Sequence, residues 1–409
     1  MVVSNPRGTD ISQFKQAYRT RNEGDFPDRL IIVLQKEWDL KYGENPHQHG
    51  AVYYPVEIAG KNADTIAKLT DLRSVNSAGY GKGGLSMTNT MDISVAMNTL
   101  KYFWNRPAAI IMKHTVVAGF ALQTKSQSLA GLYRTARDAD FRSNFGGTAA
   151  FTRPVDRETA EALFEMRHKN FFIDVLAAPG YEEGVVAYVE KERKAMRIGE
   201  FRTLEPLPKF AGDETYGLKS IKEMPGSGRF GIQDLLLTRI KSEADLIFDP
   251  LVTDKTGIHV INRDPNPEEI DDLVTSWYLN LAAARSNGVL VVRRGVSSGI
   301  GSGDVERVGS VERMIVKGMQ KAMDREGIAY DPLKGITGWE NLKENPFNRA
   351  VCSSDAFFPF EDSVKTLARV GVTAIVQPYG SERDGQSIDA ANEHGIAMPA
   401  TLERIFGHF

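Results

Sequence analysis

The chain is 409 residues long, with 53 acidic and 50 basic side chains, a formal net charge of −3, 42% hydrophobic residues and one cysteine. At roughly 100–200 residues per domain this length implies two to three folding units. The lone Cys352 excludes an internal disulfide and any zinc site built on paired thiolates, and fits a reducing, cytoplasmic compartment. The near-balanced charge argues against nucleic acid as a partner, and no apolar run is long enough to cross a membrane.

In chain order, the N-terminal segment carries Arg7, Asp10, Lys15, Arg19, Arg21 and Glu23 without the apolar core of an export signal. Short β-rich runs predict strands at Leu30–Leu34, Ala108–Met112, Val289–Val292 and Ala374–Gln377. Arg157–Arg167 and Val305–Ala322 space their apolar residues three and four apart, which predicts amphipathic helices. Strands and helices that alternate in this way are an α/β pattern. The charged run Glu190–Arg197 predicts a solvated helix face. Turn formers from Pro206 and Pro208 through Gly212 and Gly217 to Pro225–Gly228 mark a domain boundary.

Several segments carry chemistry-bearing side chains. Lys41–Gln48 packs a cation, an aromatic ring, a carboxylate and an imidazole into a turn marked by Asn45-Pro46, either as a ligand-handling loop or as a plain surface turn. The run Ala109–Met112 ends in Lys113 and His114. Ligands in open α/β sheets sit at the carboxyl ends of strands, so this pair stands where a site is expected, with the imidazole as proton acceptor; otherwise the two charges simply meet water. Gly299–Gly303 precedes a helix expected near Asp304, and either offers backbone N–H groups to an anion or forms a flexible loop, with Arg307 one turn further on. Gly295-Val296-Ser297-Ser298-Gly299 matches a G-x-S-x-G nucleophile pattern, but the helix begins too late for a nucleophile elbow. Ser353–Asp362 sets phenylalanines beside carboxylates, and the chain closes on Arg404–Phe409.

Taken in order from about Asp39 onward, Tyr42–Gln48, Leu85–Asp92, Lys113-His114, Asn144–Gly147, Ala178–Tyr181, Gly299–Gly303, Ser353–Phe360, Gln377–Ser381 and the Arg404…His408 tail resemble one family. It is the transformylase part of the bifunctional purine biosynthesis proteins, which formylates 5-aminoimidazole-4-carboxamide ribonucleotide (AICAR). The resemblance implies an α/β fold of duplicated cytidine-deaminase-like, three-layer units that have lost their zinc. It divides the chain into an N-terminal extension (1–38), a first subdomain (39–205), a linker or inserted segment (206–270) and a second subdomain (271–409).

The implied co-substrate is 10-formyltetrahydrofolate. Lys113, His114 and Asn287 match catalytic positions. Lys41, Tyr42, Asn89, Asp174, Arg307, Phe357, Arg404 and His408 match nucleotide-binding ones, and Phe145, Gly146, Pro359 and Asp362 match folate-binding ones. A homodimer with active sites at its interface is also implied, as is a potassium ion near Ser286 and Asp355, with Gly288 in place of a third ligand.

The chain departs from the family pattern in several places. Lys41 replaces an arginine, Thr115–Gly119 rewrites the loop after Lys113-His114, and Tyr379 replaces a glycine. Thr253–Gly257 is similar to a signature of the family's cyclohydrolase domain but lies mid-chain, and the length leaves no room for that domain, so a stand-alone transformylase is expected. Two alternatives stay open: a non-catalytic AICAR- or folate-binding paralogue, and AICAR formylation from another one-carbon donor.

Overall fold

The computed structural model describes residues 8–20, 26, 28–56, 73–75, 84–165, 171–205, 207–212, 219–329 and 338–408. Pro206 and Gly217 of the expected boundary lie outside these residues. The first half contains β1 (Thr9–Asp10), a 3₁₀ segment at Ser12–Tyr18, β2 (Leu34–Asp39), β3 (Ala51–Pro55), β4 (Arg73–Ser74), α1 (Met87–Leu100), β5 (Ala108–Lys113), β6 (Val116–Leu122), α2 (Leu129–Ala139), β7 (Thr148–Phe151), α3 (Arg157–Ala162), β8 (Val175–Ala178), α4 (Val185–Glu192) and β9 (Arg197–Glu200). It is followed by β10 (Lys219–Met224), β11 (Arg229–Asp234), β12 (Pro250–Asp254) and β13 (Gly257–Val260). The second half contains α5 (Pro267–Ala283), β14 (Val289–Arg293), β15 (Val296–Gly301), α6 (Arg307–Glu326), β16 (Ala350–Ser354), α7 (Asp362–Val370), β17 (Val372–Val376) and α8 (Asp384–Glu393).

The fold is α/β around a ten-stranded mixed sheet of order β17-β16-β14-β15-β6-β5-β7-β8-β9-β4. Period-two alternation sets its layers. Ala108, Ile110 and Met112 of β5 join Leu290 and Val292 of β14 in one cluster with α1 and α5, on one face. Ala109 and Ile111 face the other way, toward α2 and α4, and Val289 and Val291 likewise face α6, α7 and α8. Strands buried on both faces read as continuous apolar runs, which is why β5 and β14 were legible in the sequence.

The two halves repeat each other in pairing sense. β5 is antiparallel to both β6 and β7, and β7 is parallel to β8; β14 is antiparallel to both β15 and β16, and β16 is parallel to β17. A bulge interrupts the β5/β6 register after Ile111 and the β14/β15 register after Val291. The halves meet where β6 and β15 pair antiparallel at Ala121 and Val296.

Some elements differ from expectation. The run at Leu30–Leu34 enters a strand only at Leu34, because the antiparallel partner β3 reaches no further than Pro55, opposite Leu34. The helix expected at Arg157–Arg167 spans Arg157–Ala162, started by the Asp156 carboxylate, which accepts from Thr159 N. In the Glu190–Arg197 run only the first residues are helical. Arg193 and Arg197 turn to the Asp174 carboxylate instead of facing water alone. Among the described residues no helix is long and apolar enough to cross a membrane.

Candidate active site

The Lys113–His114 pair sits in the tight turn between β5 and β6. His114 and Thr115 adopt left-handed backbone (φ 54° and 62°), the geometry a two-residue hairpin requires at both central positions and one usually given to Asn-Gly. Helix α1 supplies support. Ser86 caps it with a reciprocal Ser86–Asn89 box, and one turn on, the buried Asp92 Oδ1 accepts the Thr115 N–H at 2.6 Å. Asn89 is therefore engaged in holding the start of α1. Burial pushes the Asp92 carboxyl up, while the Thr115 and His114 amides and the nearby His114 and Lys113 charges pull it down.

The strand-end rule used to locate this pair does not carry over. β5 is antiparallel to β7, which runs parallel to β8, so the Lys113 end of β5 lies beside the amino ends of β7 and β8. The loops feeding those amino ends complete the surroundings. Lys113 Nζ donates to the Phe145 carbonyl, the Phe145 and Phe172 rings meet edge-on at 4.4 Å, and Gly146 N donates to Phe172 O at 2.8 Å. The Arg193 guanidinium lies 3.8 Å from the Phe172 ring centroid and 3.6 Å from Asp174, and Arg197 contacts Asp174 at 3.3 Å. Lys113, Phe145, Gly146 and Asp174 thus form one connected surface, with Phe172, Arg193 and Arg197 as members that sequence reasoning missed.

Facing the turn is a cleft of about 490 Å³, which Lys113 and His114 share with Arg313, Lys317 and Lys321 of α6 and with Asp140. Lys321 pairs with Asp140 at 2.8 Å and Arg313 with Asp304 at 3.0 Å, so the cleft remains cationic and suits an anionic ligand. The spacing of Arg313, Lys317 and Lys321, four residues apart, was a legible signal because it puts all three on one helix face.

The second half approaches the same turn through Arg285, whose Nη2 donates to His114 O at 3.2 Å and to Thr115 Oγ1 at 2.6 Å. Two residues on, Asn287 Nδ2 donates to Asp304 O at 2.9 Å. Ser286 Oγ donates to Asp355 Oδ2 at 2.5 Å, and Arg307 holds the other carboxylate oxygen of Asp355 in an ion pair whose side chains are 7% and 3% exposed. Arg307 therefore lies under the site, neutralising Asp355. An added Cβ at Gly288 would come 2.4 Å from Asn280 Oδ1, a buried oxygen without a hydrogen-bond partner among the described residues, and 3.3 Å from Asp355 Oδ2.

A separate cleft of about 470 Å³ gathers Phe357, Pro359 and Arg404 with Tyr18 and Arg383. Tyr18 meets Phe357 edge-on at 5.5 Å, lies 5.5 Å from the Arg404 guanidinium and donates its hydroxyl to Tyr379 O at 3.2 Å. It packs on Gly380, where a Cβ would come 2.3 Å from the ring. The expected N-terminal extension thus contributes a wall of this cleft. Tyr379 itself is fully buried, with its hydroxyl donating to Met398 O at 2.7 Å, so its ring belongs to the core and not to the cleft. Asp362 is exposed and opens α7 by accepting the Ser363 N–H at 2.6 Å. His408 lines a third cleft with Arg404 and Phe406 beneath the β10–β11 ribbon, and its carbonyl accepts from Lys222. Lys41 is exposed, with Nζ 5.4 Å from the Tyr42 ring, and the Tyr42 carbonyl accepts the Met87 N–H at the start of α1.

The expected glycine-rich anion loop is corrected by the structure. Gly299 and Gly301 belong to β15, where added Cβ atoms would lie 2.8 Å from Met314 Sδ and 2.0 Å from Ser310 O. These glycines let α6 lie directly against the strand. Within the G-x-S-x-G match, Ser297 is a buried strand residue whose Oγ accepts the Phe120 N–H at 3.0 Å, without the sharp strand-to-helix turn of a nucleophile elbow. The Thr253–Gly257 motif forms the β12–β13 hairpin, and His259 Nδ1 lies 2.8 Å from Asp389 Oδ1, joining the hairpin to α8. Among the described residues no group of three or more His, Cys, Asp and Glu is placed to hold a metal ion.

A family model described as the AICARFT/IMPCHase bienzyme matches residues 9–317. The chain belongs to this family. The bifunctional purine biosynthesis protein PurH of Persephonella marina is 32% identical over 384 residues, covering 94% of this chain and 62% of the relative. PurH of Aquifex aeolicus is 33% identical over 400 residues, covering 97% of this chain and 64% of the relative. PurH of Sorangium cellulosum is 33% identical over 383 residues, 94% of this chain and 61% of the relative. The chain therefore spans somewhat under two thirds of the length of these family members.

Proposed function

We propose that this chain transfers the formyl group of 10-formyltetrahydrofolate to the 5-amino group of AICAR. The observation that carries the reading is the Lys113–His114 turn, fixed in left-handed backbone at the rim of a cationic cleft. The AICAR amine is a poor nucleophile because its lone pair is delocalised into the ring, so its proton must leave as it attacks. The exposed His114 imidazole takes that proton. Lys113 exchanges the Phe145 carbonyl for the formyl oxygen and stabilises the oxyanion of the tetrahedral intermediate, with Asn287 orienting the reacting groups. The folate nitrogen then leaves and takes up a proton.

Family resemblance supports the remaining assignments. Arg404, Phe357 and Tyr42 serve the nucleotide, with Asp174 beside Arg193 and Arg197; Phe145, Gly146, Pro359 and Asp362 serve the folate. Within one chain these residues divide between separate clefts, one at Lys113 and one at Phe357 and Arg404, which favours a homodimer that completes each site across its interface. The repeated pairing sense of the two halves supports a duplicated cytidine-deaminase-like origin, and the buried free thiol of Cys352 agrees with a reducing cytoplasm. The oxygen donors Asp355 Oδ2, Ser286 Oγ and the unpartnered Asn280 Oδ1 around Gly288 fit a potassium ion, because Arg307 already offsets the Asp355 charge and leaves little attraction for a divalent one. Such an ion would fix the Arg285–Gly288 loop.

The test is single-turnover formyl transfer by wild type and His114→Ala, followed by tetrahydrofolate release. The expected loss is about 10²–10⁴-fold. Retained transfer refutes the assignment of His114, and AICAR binding without product in the wild type would indicate a non-catalytic paralogue.

A further inference from the structure

The Lys113–His114 turn has a counterpart in the other half of the molecule. Between β14 and β15 the chain turns through Arg294 and Gly295, again in left-handed backbone (φ 51° and 75°), after a bulge at the same place in the register. There the carboxylate of Asp272, on α5, accepts the Arg294 N–H at 2.6 Å and the Gly295 N–H at 2.7 Å. Asp92 on α1 does the same for the first turn, accepting from Thr115 N at 2.6 Å. Both carboxylates are almost fully buried, at 4% and 6% exposure. Each helix thus aims one acidic side chain at the amides of one hairpin turn.

The two turns differ in what they carry. Gly295 tolerates positive φ without cost, whereas Thr115 at the matching position is β-branched and strained there. Four hydrogen bonds restrain the turn: Asp92 Oδ1 accepts the Thr115 N–H, the Arg285 guanidinium donates to Thr115 Oγ1 and to His114 O, and Thr115 Oγ1 donates to His114 O at 2.6 Å. The second turn presents arginines and no proton acceptor.

We infer that Asp92 is a positioning residue for formyl transfer, pinning the backbone from which the His114 imidazole and the Lys113 ammonium project, while Asp272 performs only the scaffolding half of that task. The inference rests on His114 being the base. The charged groups that face this imidazole's turn are Lys113 on β5, Arg285 from the second half, Asp140 at the end of α2, Arg313, Lys317 and Lys321 on α6, and Asp92 on α1. Asp92 is the acidic group directly bonded to the turn's backbone.

The experiment compares Asp92→Asn and Asp92→Ala with Asp272→Asn and Asp272→Ala in the full chain. Steady-state kinetics with AICAR and 10-formyltetrahydrofolate separate kcat from KM, with Tm measured alongside. Asp92→Ala is expected to lower kcat by about 10²-fold, the scale of a small misplacement of reacting groups, with KM for both substrates within about twofold. Asp92→Asn keeps an acceptor for the Thr115 amide and is expected to rescue part of that loss, leaving kcat down by about tenfold with KM again within about twofold. The Asp272 variants should lower Tm by a similar amount and leave kcat within about twofold. If the Ala variant does not fold, the Asn variant decides. Equal kcat losses at Asp92 and Asp272, or no better kcat in Asp92→Asn than in Asp92→Ala, would overturn the inference. An active His114→Ala would instead remove the reading on which it rests, whereas an inactive His114→Ala with unchanged kcat in the Asp92 variants removes the inference alone.

Discussion

Replacing Arg307 with methionine isolates the buried ion pair under the candidate site. In the wild type the guanidinium pairs with Asp355 and donates to Ser354 Oγ at 3.2 Å and Gly288 O at 3.3 Å, from a side chain that is 7% exposed. Methionine is close in length and apolar, so the variant leaves little void but strands a carboxylate that is 3% exposed, with Ser286 Oγ at 2.5 Å as its remaining side-chain partner. Removing one member of a buried pair costs about 3–5 kcal/mol, because the other charge is left uncompensated. Urea unfolding with linear extrapolation measures the loss. Arg307→Met with Asp355→Leu should recover most of it, since no charge is then buried alone. A single-variant loss below about 1 kcal/mol, or a double variant no better than the single, would refute this account of the pair.

Two further outcomes follow from the structure. Burial raises the Asp384 carboxyl to about 7, against about 3.8 in an unfolded chain, although the Gly380 and Ser381 amides pull it down. A raised folded-state pKa gives stability that is full below the unfolded value and lost as pH rises through the folded one, here by about 4 kcal/mol between pH 4 and 8. Asp384→Asn should therefore gain stability over wild type at pH 8 and little at pH 4 in urea titrations, and parallel pH profiles for the two proteins would sink the idea. Gly301→Ala should destabilise by about 1–3 kcal/mol, because its Cβ would lie 2.0 Å from Ser310 O and push α6 off β15. An unchanged urea midpoint would show that the helix has room to move.

Much of the layered fold was legible because burial on both faces leaves a local mark. Ala108–Met112, Val289–Val292 and Ala374–Gln377 read as strands from their own composition and fall within a residue or two of β5, β14 and β17. The Val305–Ala322 periodicity found α6, which begins two residues later and runs to Glu326, where Gly327 in left-handed backbone ends it. The ordered motifs identified the family, and Lys113 and His114 were found as an ionisable pair at the end of an apolar run.

The partners of these elements were not legible, because strand order and close approach are set by residues far apart in the chain. Gly299 and Gly301 looked like a loop, since their use is a contact with Met314 and Ser310 on a helix that the local sequence does not mention. Arg307 looked like a ligand contact until Asp355, 48 residues on, was brought beside it. Tyr18 carried no signal at all, because its meaning comes from Phe357 and Arg404 at the other end of the chain. By itself the sequence determined the kind of elements, the family and the chemically capable residues, through short-range periodicity and motif. Only the tertiary structure decided which carboxylate holds which turn and which side chains share a cleft, because those depend on long-range packing and desolvation.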